Sequence, residues 1–176
     1  MAQFADRLQE NGIACETISV GSTPTAMHAP DWQGVTEIRP GNYVFFDKFQ
    51  ADIGSCRRQE VAVTVLTTVV AHYPDHNQLL IDAGALALSK DLGADHLGRE
   101  IVFGAVRNHP QLKIFSISQE HGLITADDPL AFGKHPVGSL LRIIPNHSCL
   151  TAALFPKYHV VDEDQVVDEW TPMRGW

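Results

Sequence analysis

Apolar residues recur three positions apart at the start of the chain, at Ala2, Ala5 and Leu8, with Phe4 adjoining the same face. That spacing predicts a short helix, and Asn11-Gly12 supplies its stop. Ile13 to Val20 reads as a strand, cut off by the loop Gly21-Ser22-Thr23-Pro24-Thr25. Helix, strand and Gly/Ser/Thr loop make one repeat of an α/β architecture, and one repeat cannot bury its own faces.

The pattern changes from about Glu37. Tyr43-Val44-Phe45-Phe46 follows the turn Pro40-Gly41-Asn42 and is expected to form a short buried strand. Val61 to Tyr73, rich in valine and threonine, reads as one long or bent strand. Leu79–Ile81, Ile101–Phe103, Leu112–Ile117 and Leu140–Ile144 follow, separated by Gly, Pro, Asn and Asp clusters. Short strands at such intervals predict a β-barrel or sandwich of roughly 120 residues. Only Leu150 to Phe155 reads as a brief helical turn. The expected fold class is therefore mostly β with a short α/β remnant. The remnant is assigned to residues 1–36 and the β domain to residues 37–176, with the boundary in the loop Met27–Thr36.

Charge and composition narrow the function. Thirteen basic residues against 21 acidic ones give a net charge of −8, which argues against a nucleic-acid partner held by phosphate neutralisation. No apolar run approaches the ~20 residues of a membrane helix, and MAQFADRLQE has neither the basic start nor the apolar stretch of a secretory signal. Three cysteines (Cys15, Cys56 and Cys149) without framework spacing are expected of reduced thiols, so the compartment expected is the cytoplasm.

The most informative chemistry lies in Pro145-Asn146-His147-Ser148-Cys149. In an extended segment, residues two apart point to the same side. Imidazole nitrogen and thiolate sulfur are both good zinc ligands, and two protein ligands leave positions open for water and substrate. On spacing alone the commoner reading is the plainer one, a satisfied histidine beside a small buried cysteine. The Gly21–Thr25 loop has the composition of an anion site, with glycine for close approach and hydroxyls beside consecutive N–H groups. Its plainer reading is a strand-to-helix turn capped by Ser or Thr. Gln119-Glu120-His121-Gly122 offers a carboxylate and an imidazole beside a turn, either as an acid/base pair or as support for a metal site, or simply as a surface turn.

Several segments together resemble the D-serine dehydratase and D-threonine aldolase family. They are V-G-S-T-P-T at 20–25, T-E-I-R-P-G-N-Y-V-F-F-D at 36–47, I-G-S-C at 53–56 and I-D-A-G at 81–84. A-L-S at 87–89, Q-E-H-G at 119–122, I-P-N-H-S-C-L-T at 144–151 and the ending W-T-P-M-R-G-W at 170–176 continue the series. Order and spacing agree over essentially the whole chain.

The resemblance implies the C-terminal half of a fold-type III pyridoxal-phosphate enzyme, in which an α/β barrel carries the cofactor on a lysine and a β domain closes over it. It implies that Gly21, Ser22 and Thr23 bind the cofactor phosphate and that His147 and Cys149 bind zinc. In aldolase-type members an aspartate usually replaces the cysteine, so Cys149 tilts the expectation toward a dehydratase of D-hydroxy-amino acids. A D-threonine or 3-hydroxy-amino-acid aldolase is the first alternative, and an inactive stand-alone module that binds metal or a partner is the second. The complete enzyme is expected to be a homodimer. The family's cofactor lysine lies upstream of anything present here, and Lys48, Lys90, Lys113, Lys134 and Lys157 match no cofactor position. Alone, the chain is expected not to catalyse the family reaction. A separate barrel half is the expected partner.

Overall fold

The structure is a computed structural model that describes residues 1–98 and 100–173. The last three residues of the W-T-P-M-R-G-W ending thus lie outside the described residues. The chain forms two compact units, Met1–Ala62 and Val63–Trp176. Each is described by itself.

In the first unit, α1 spans Ala2–Glu10. It ends where Gly12 takes a positive φ of 79° and donates its amide to the Gln9 carbonyl at 2.9 Å, the closure that glycine favours at a helix C-terminus. Most of the strand expected at Ile13–Val20 is irregular. Only β1, Ser19–Val20, is regular, and it pairs in parallel with β2, Glu37–Ile38. Between them lies α2, Thr23–His28.

The strand expected at Tyr43–Phe46 does not form. Asn42–Val44 is a 3-10 turn, Tyr43 and Val44 are exposed, and Phe46 has a positive φ of 52°. A polar clasp explains the difference. Asn42 Nδ2 donates to one oxygen of the buried Asp47, whose other oxygen accepts the Gln50 amide at 2.8 Å and caps α3, Lys48–Asp52. A side chain that starts a helix at once leaves no room for an extended run before it.

The second unit is built on a closed antiparallel barrel. Its strands are β3 (Val65–Tyr73), β4 (Gln78–Ile81), β5 (Ala105–Val106), β6 (Lys113–Ile117), β7 (Gly122–Thr125) and β8 (Leu140–Ile144). Around the barrel the order is β3, β4, β7, β6, β5, β8, and β8 closes it by pairing with both β3 and β5. The fold is thus mostly β, with a barrel and few helices. β7 is a strand that the apolar pattern alone did not announce.

Alternation along β3 sends Val65, Thr67 and Val69 inward and leaves Leu66 at 62% exposure, the period-two pattern of a one-sided strand. Val69, Leu79, Ile81, Ile114, Ile124 and Ile143 are fully buried and form the centre of the core. Removing the side chain of such a residue costs about 2–5 kcal/mol, since the cavity refills only in part.

Two turns lock the barrel wall. Ile81 and Gly122 are cross-strand partners in β4 and β7. A Cβ on Gly84 would stand 2.5 Å from the His121 amide nitrogen, and one on Gly122 would stand 2.8 Å from the Ala83 carbonyl oxygen. The I-D-A-G and Q-E-H-G segments therefore sit face to face because their glycines permit backbone contact. Ile101–Phe103 is not a strand. Gly104, with φ of 134°, lets the chain approach Ile143 and Ile144. The Phe103 amide already donates to the Ile114 carbonyl at 2.8 Å, and the regular strand begins at Ala105.

Two short helices, α4 (Ala85–Leu88) and α5 (Ser148–Leu154), pack on each other, and a hairpin of β9 (Tyr158–Asp162) with β10 (Gln165–Trp170) follows. Among the described residues no helix is long and apolar enough to cross a membrane.

His135 is buried against the barrel. The His72 Nε2–H donates to its carbonyl oxygen at 2.7 Å, and its ring meets His109 edge-on at 5.0 Å between centroids. Burial pushes the His135 pKa below the ordinary imidazole value, and the nearby His109, Lys134 and His72 act in the same direction. The unfolded chain therefore takes up this proton at higher pH than the folded one. Stability from the neutral ring is fully present above about pH 7 and falls as pH drops through the unfolded value of ~6.5. Urea unfolding at pH 8 and pH 5.5 should show the loss, and His135→Gln should flatten it. An equal pH dependence in the variant would contradict this assignment.

Candidate functional site

The first cluster of candidate residues follows β1. A Cβ on Gly21 would stand 2.7 Å from Arg39 Cβ and 2.9 Å from the Arg39 carbonyl oxygen. Glycine is thus required here by the neighbouring chain of the parallel pair, independently of any ligand. Ser22 caps α2: the Thr25 amide donates to its Oγ at 3.2 Å, and the two hydroxyls lie 2.9 Å apart. Thr23 is buried, and its Oγ1 accepts the Tyr43 amide at 3.0 Å. Gly21 and Ser22 are exposed. The turn accordingly exposes Gly21 and Ser22, whose hydroxyl is shared with Thr25, whereas the buried Thr23 hydroxyl is engaged by the Tyr43 amide.

The second cluster lies where β8 runs into α5. Asn146 is only 1% exposed, and its Nδ2 donates to the carbonyl oxygens of Asp91 at 2.8 Å and Val102 at 2.6 Å. This one amide ties the strand-to-helix joint to two points of the loop between α4 and β5. Gly93, with φ of 65°, lies against it, where a Cβ would stand 3.2 Å from Asn146 Cγ. Thr151 in α5 donates its hydroxyl to the Leu88 carbonyl at 3.2 Å, adding a second tie between α5 and α4.

His147 and Cys149 stand at this joint. His147 is extended, with φ of −136° and ψ of 103°, and its carbonyl accepts the Thr151 amide at 3.1 Å to begin α5. Cys149 is already the second residue of that helix and is exposed. The extended geometry expected of the H-x-C segment therefore holds at His147 only. Both side chains leave from the seam between strand and helix, because helical bonding starts at Ser148 rather than at Leu150. His147 Nδ1 lies 3.0 Å from Asp91 Oδ2, with both side chains partly exposed.

Asp91 was not legible as a site residue, since it stands 56 positions before its histidine. The available signal was local. In D-L-G at 91–93 the Gly93 amide donates to Asp91 Oδ1 at 2.7 Å, the aspartate turn that this sequence favours.

Glu120 and His121 join no such cluster. Their segment is a surface turn in which the Ser118 amide donates to the His121 carbonyl at 2.8 Å. Among the described residues no three His, Cys, Asp or Glu side chains are grouped to hold a metal, so within them His147 and Cys149 would bind one as a pair.

The donor set suits zinc in that form. A carboxylate can only accept, so the proton of the bond between His147 Nδ1 and Asp91 Oδ2 comes from the ring. An exposed thiol two residues away supplies a soft second donor.

Comparison with known proteins gives the following. Residues 62–161 match the family described as "Putative serine dehydratase domain". The chain is 44% identical over 183 residues to a D-serine dehydratase of Dictyostelium discoideum, an alignment covering 98% of the chain and 46% of that protein. The solved structure of D-threo-3-hydroxyaspartate dehydratase from Delftia sp. HT23 superposes with a TM-score of 0.89 at 38% identity, covering 99% of this chain and 48% of the other. For that enzyme a cysteine-to-alanine variant is described in a metal-free form, and a histidine-to-alanine variant, altered two positions earlier, has also been solved. An uncharacterized Mycobacterium tuberculosis protein is 32% identical over 127 residues, and the alignment covers 70% of the chain and 91% of that protein. The chain thus spans about half the length of the two dehydratases and most of the mycobacterial protein.

The joint generates one test of its own. Asn146→Ala leaves two partly buried carbonyls without their donor, at a cost of up to about 1–3 kcal/mol for each. The denaturation midpoint should fall accordingly, and the His147 ring resonances should shift as the loop carrying Asp91 is released. A midpoint and spectrum like those of the unaltered chain would show that the amide does not hold the joint.

Proposed function

Given that the chain belongs to the serine dehydratase domain family, we propose that it is the metal-bearing part of a pyridoxal-phosphate- and zinc-dependent ammonia-lyase acting on D-hydroxy-amino acids. The observation that carries this reading is the pair His147 and Cys149 at the β8–α5 seam, with His147 Nδ1 already engaged by a carboxylate. On this reading residues 1–36 end an α/β barrel, and residues 37–176 form the domain that accompanies it. The upstream part, which holds the cofactor lysine, comes from a preceding segment or a separate chain. The work is assigned to the cytoplasm, where the three thiols stay reduced.

The roles follow from the chemistry of each group. Gly21 and Ser22 would take the cofactor phosphate through exposed backbone N–H groups and the Ser22 hydroxyl. Thr23 would act from behind, holding the turn through its bond to the Tyr43 amide. His147 Nε2 and the Cys149 thiolate would hold zinc, leaving two of its four positions for water and the substrate's β-hydroxyl. Pyridoxal phosphate, when bound, supplies the electron sink for charge developing at the α-carbon. Zinc, when bound, supplies the Lewis acid that eases departure of the β-hydroxyl.

Cys149 tilts the reading toward the dehydratase branch, because the family resemblance implies an aspartate at this position in aldolase-type members. The thiolate selects a borderline-soft ion such as zinc, whereas a carboxylate in its place would suit a harder ion. A second reading, a stand-alone module of this family, has one observation in its favour, the mycobacterial relative that is nearly covered by the alignment.

Metal analysis and turnover separate the readings. With a barrel half supplying the lysine, the protein should hold about one zinc per chain and release ammonia and a keto acid from D-serine. Cys149→Ala should lower both zinc content and turnover. Full zinc and full activity in the variant would refute the metal assignment. Zinc uptake without turnover in the reconstituted protein would favour the stand-alone module.

A further inference from the structure

We propose that Asp91 is the positioning residue of the metal pair, fixing the tautomer and direction of the His147 ring so that Nε2 is the ligand nitrogen. The inference rests on the zinc reading above and goes beyond it, since it concerns a residue in a different loop. Three observations carry it. The Asp91 carboxylate is itself held, with Oδ1 accepting the Gly93 amide at 2.7 Å while Oδ2 meets His147 Nδ1 at 3.0 Å. The Asp91 amide lies 3.3 Å from Ser89 Oγ, and its carbonyl accepts from the buried Asn146 at 2.8 Å. The same Asn146 is the residue immediately before His147, so one buried amide fixes carboxylate and imidazole relative to each other.

Stability does not account for this arrangement. The two side chains are 30% and 39% exposed, and ion pairs at such exposure contribute little to folding. A carboxylate on the far nitrogen is instead the arrangement that orients a ligating histidine, and its loss typically weakens metal binding by about 10–100-fold.

Asp91→Asn isolates the effect. The amide oxygen still accepts from Gly93, so the turn is kept. Its NH2 then faces His147 Nδ1, which favours the tautomer with the proton on Nε2 and no lone pair there for a metal. Two measurements on the full chain decide the matter. The first is the nitrogen chemical shifts of the His147 ring in metal-free protein at about pH 8.5, some two units above the ordinary imidazole pKa. The unaltered chain should hold the Nδ1–H tautomer, and Asp91→Asn should lose it.

The second is competition for Zn2+ alone against a chelator. Asp91→Asn should bind about 10–100-fold more weakly, with a melting temperature close to that of the unaltered chain. Zinc affinity within about twofold of the unaltered chain, or an unchanged tautomer, would overturn the role of Asp91, provided that His147→Ala abolishes binding. Undiminished binding in His147→Ala would overturn the underlying metal reading instead.

Discussion

Closure of the barrel by β8 is the constraint on which the second unit depends. Open sheets expose unpaired edges, and a closed one has none. Here the last strand of the barrel must fit between the first and the shortest. Val65 and Val106 both pair with Ile143, and Ala105 pairs with Ile144. Ile143 therefore has a partner strand on each side and is fully buried. Because β8 is pinned along its length, the residues directly after it leave the barrel at a defined point. Those residues are Pro145, Asn146 and His147.

The polar groups at that exit make sense as consequences of closure. The loop from α4 to β5 passes beside the end of β8, and Asp91 and Val102 are partly buried there. Asn146 meets the carbonyls of both with one amide group, so these two carbonyls find a donor, while its own Oδ1 is buried without a hydrogen-bond partner among the described residues. Gly93 is needed where the loop turns against this side chain. A device that first serves packing thus also brings a carboxylate to the imidazole. The same economy appears at Gly84 and Gly122, where a backbone contact locks the wall of the barrel. It appears again at Gly21, where the absent side chain makes room for Arg39. Glycines in several of the motifs that identify the family therefore have structural duties irrespective of chemistry.

Much of this was legible in the sequence where side-chain periodicity reports burial directly. β3, β4, β6 and β8 were visible as apolar or alternating runs, and α1 as a three-residue repeat with a glycine stop. What was not legible depended on partners distant in the chain. Tyr43–Phe46 looks like a buried strand, but the Asn42–Asp47 clasp folds it into a turn. β7 is too short and too close to a glycine turn to stand out. β9 and β10 each carry two adjacent valines flanked by polar residues, and every residue of β10 is exposed. Among the site residues, His147 and Cys149 were evident as a motif. Their geometry was not, since α5 begins two residues earlier than its apolar pattern suggests. Asp91 belonged to a stretch of ordinary surface character, and only the fold brings it to His147.

On the proposed reading His147 and Cys149 form a two-residue metal pair that leaves positions open for water and substrate. The most direct measurement is X-ray absorption at the zinc edge of the zinc-loaded chain. The account predicts a single sulfur neighbour at about 2.3 Å, with the other neighbours nitrogen or oxygen at about 2.0–2.2 Å. A first shell of nitrogen and oxygen alone, or one containing two or more sulfurs, would contradict it.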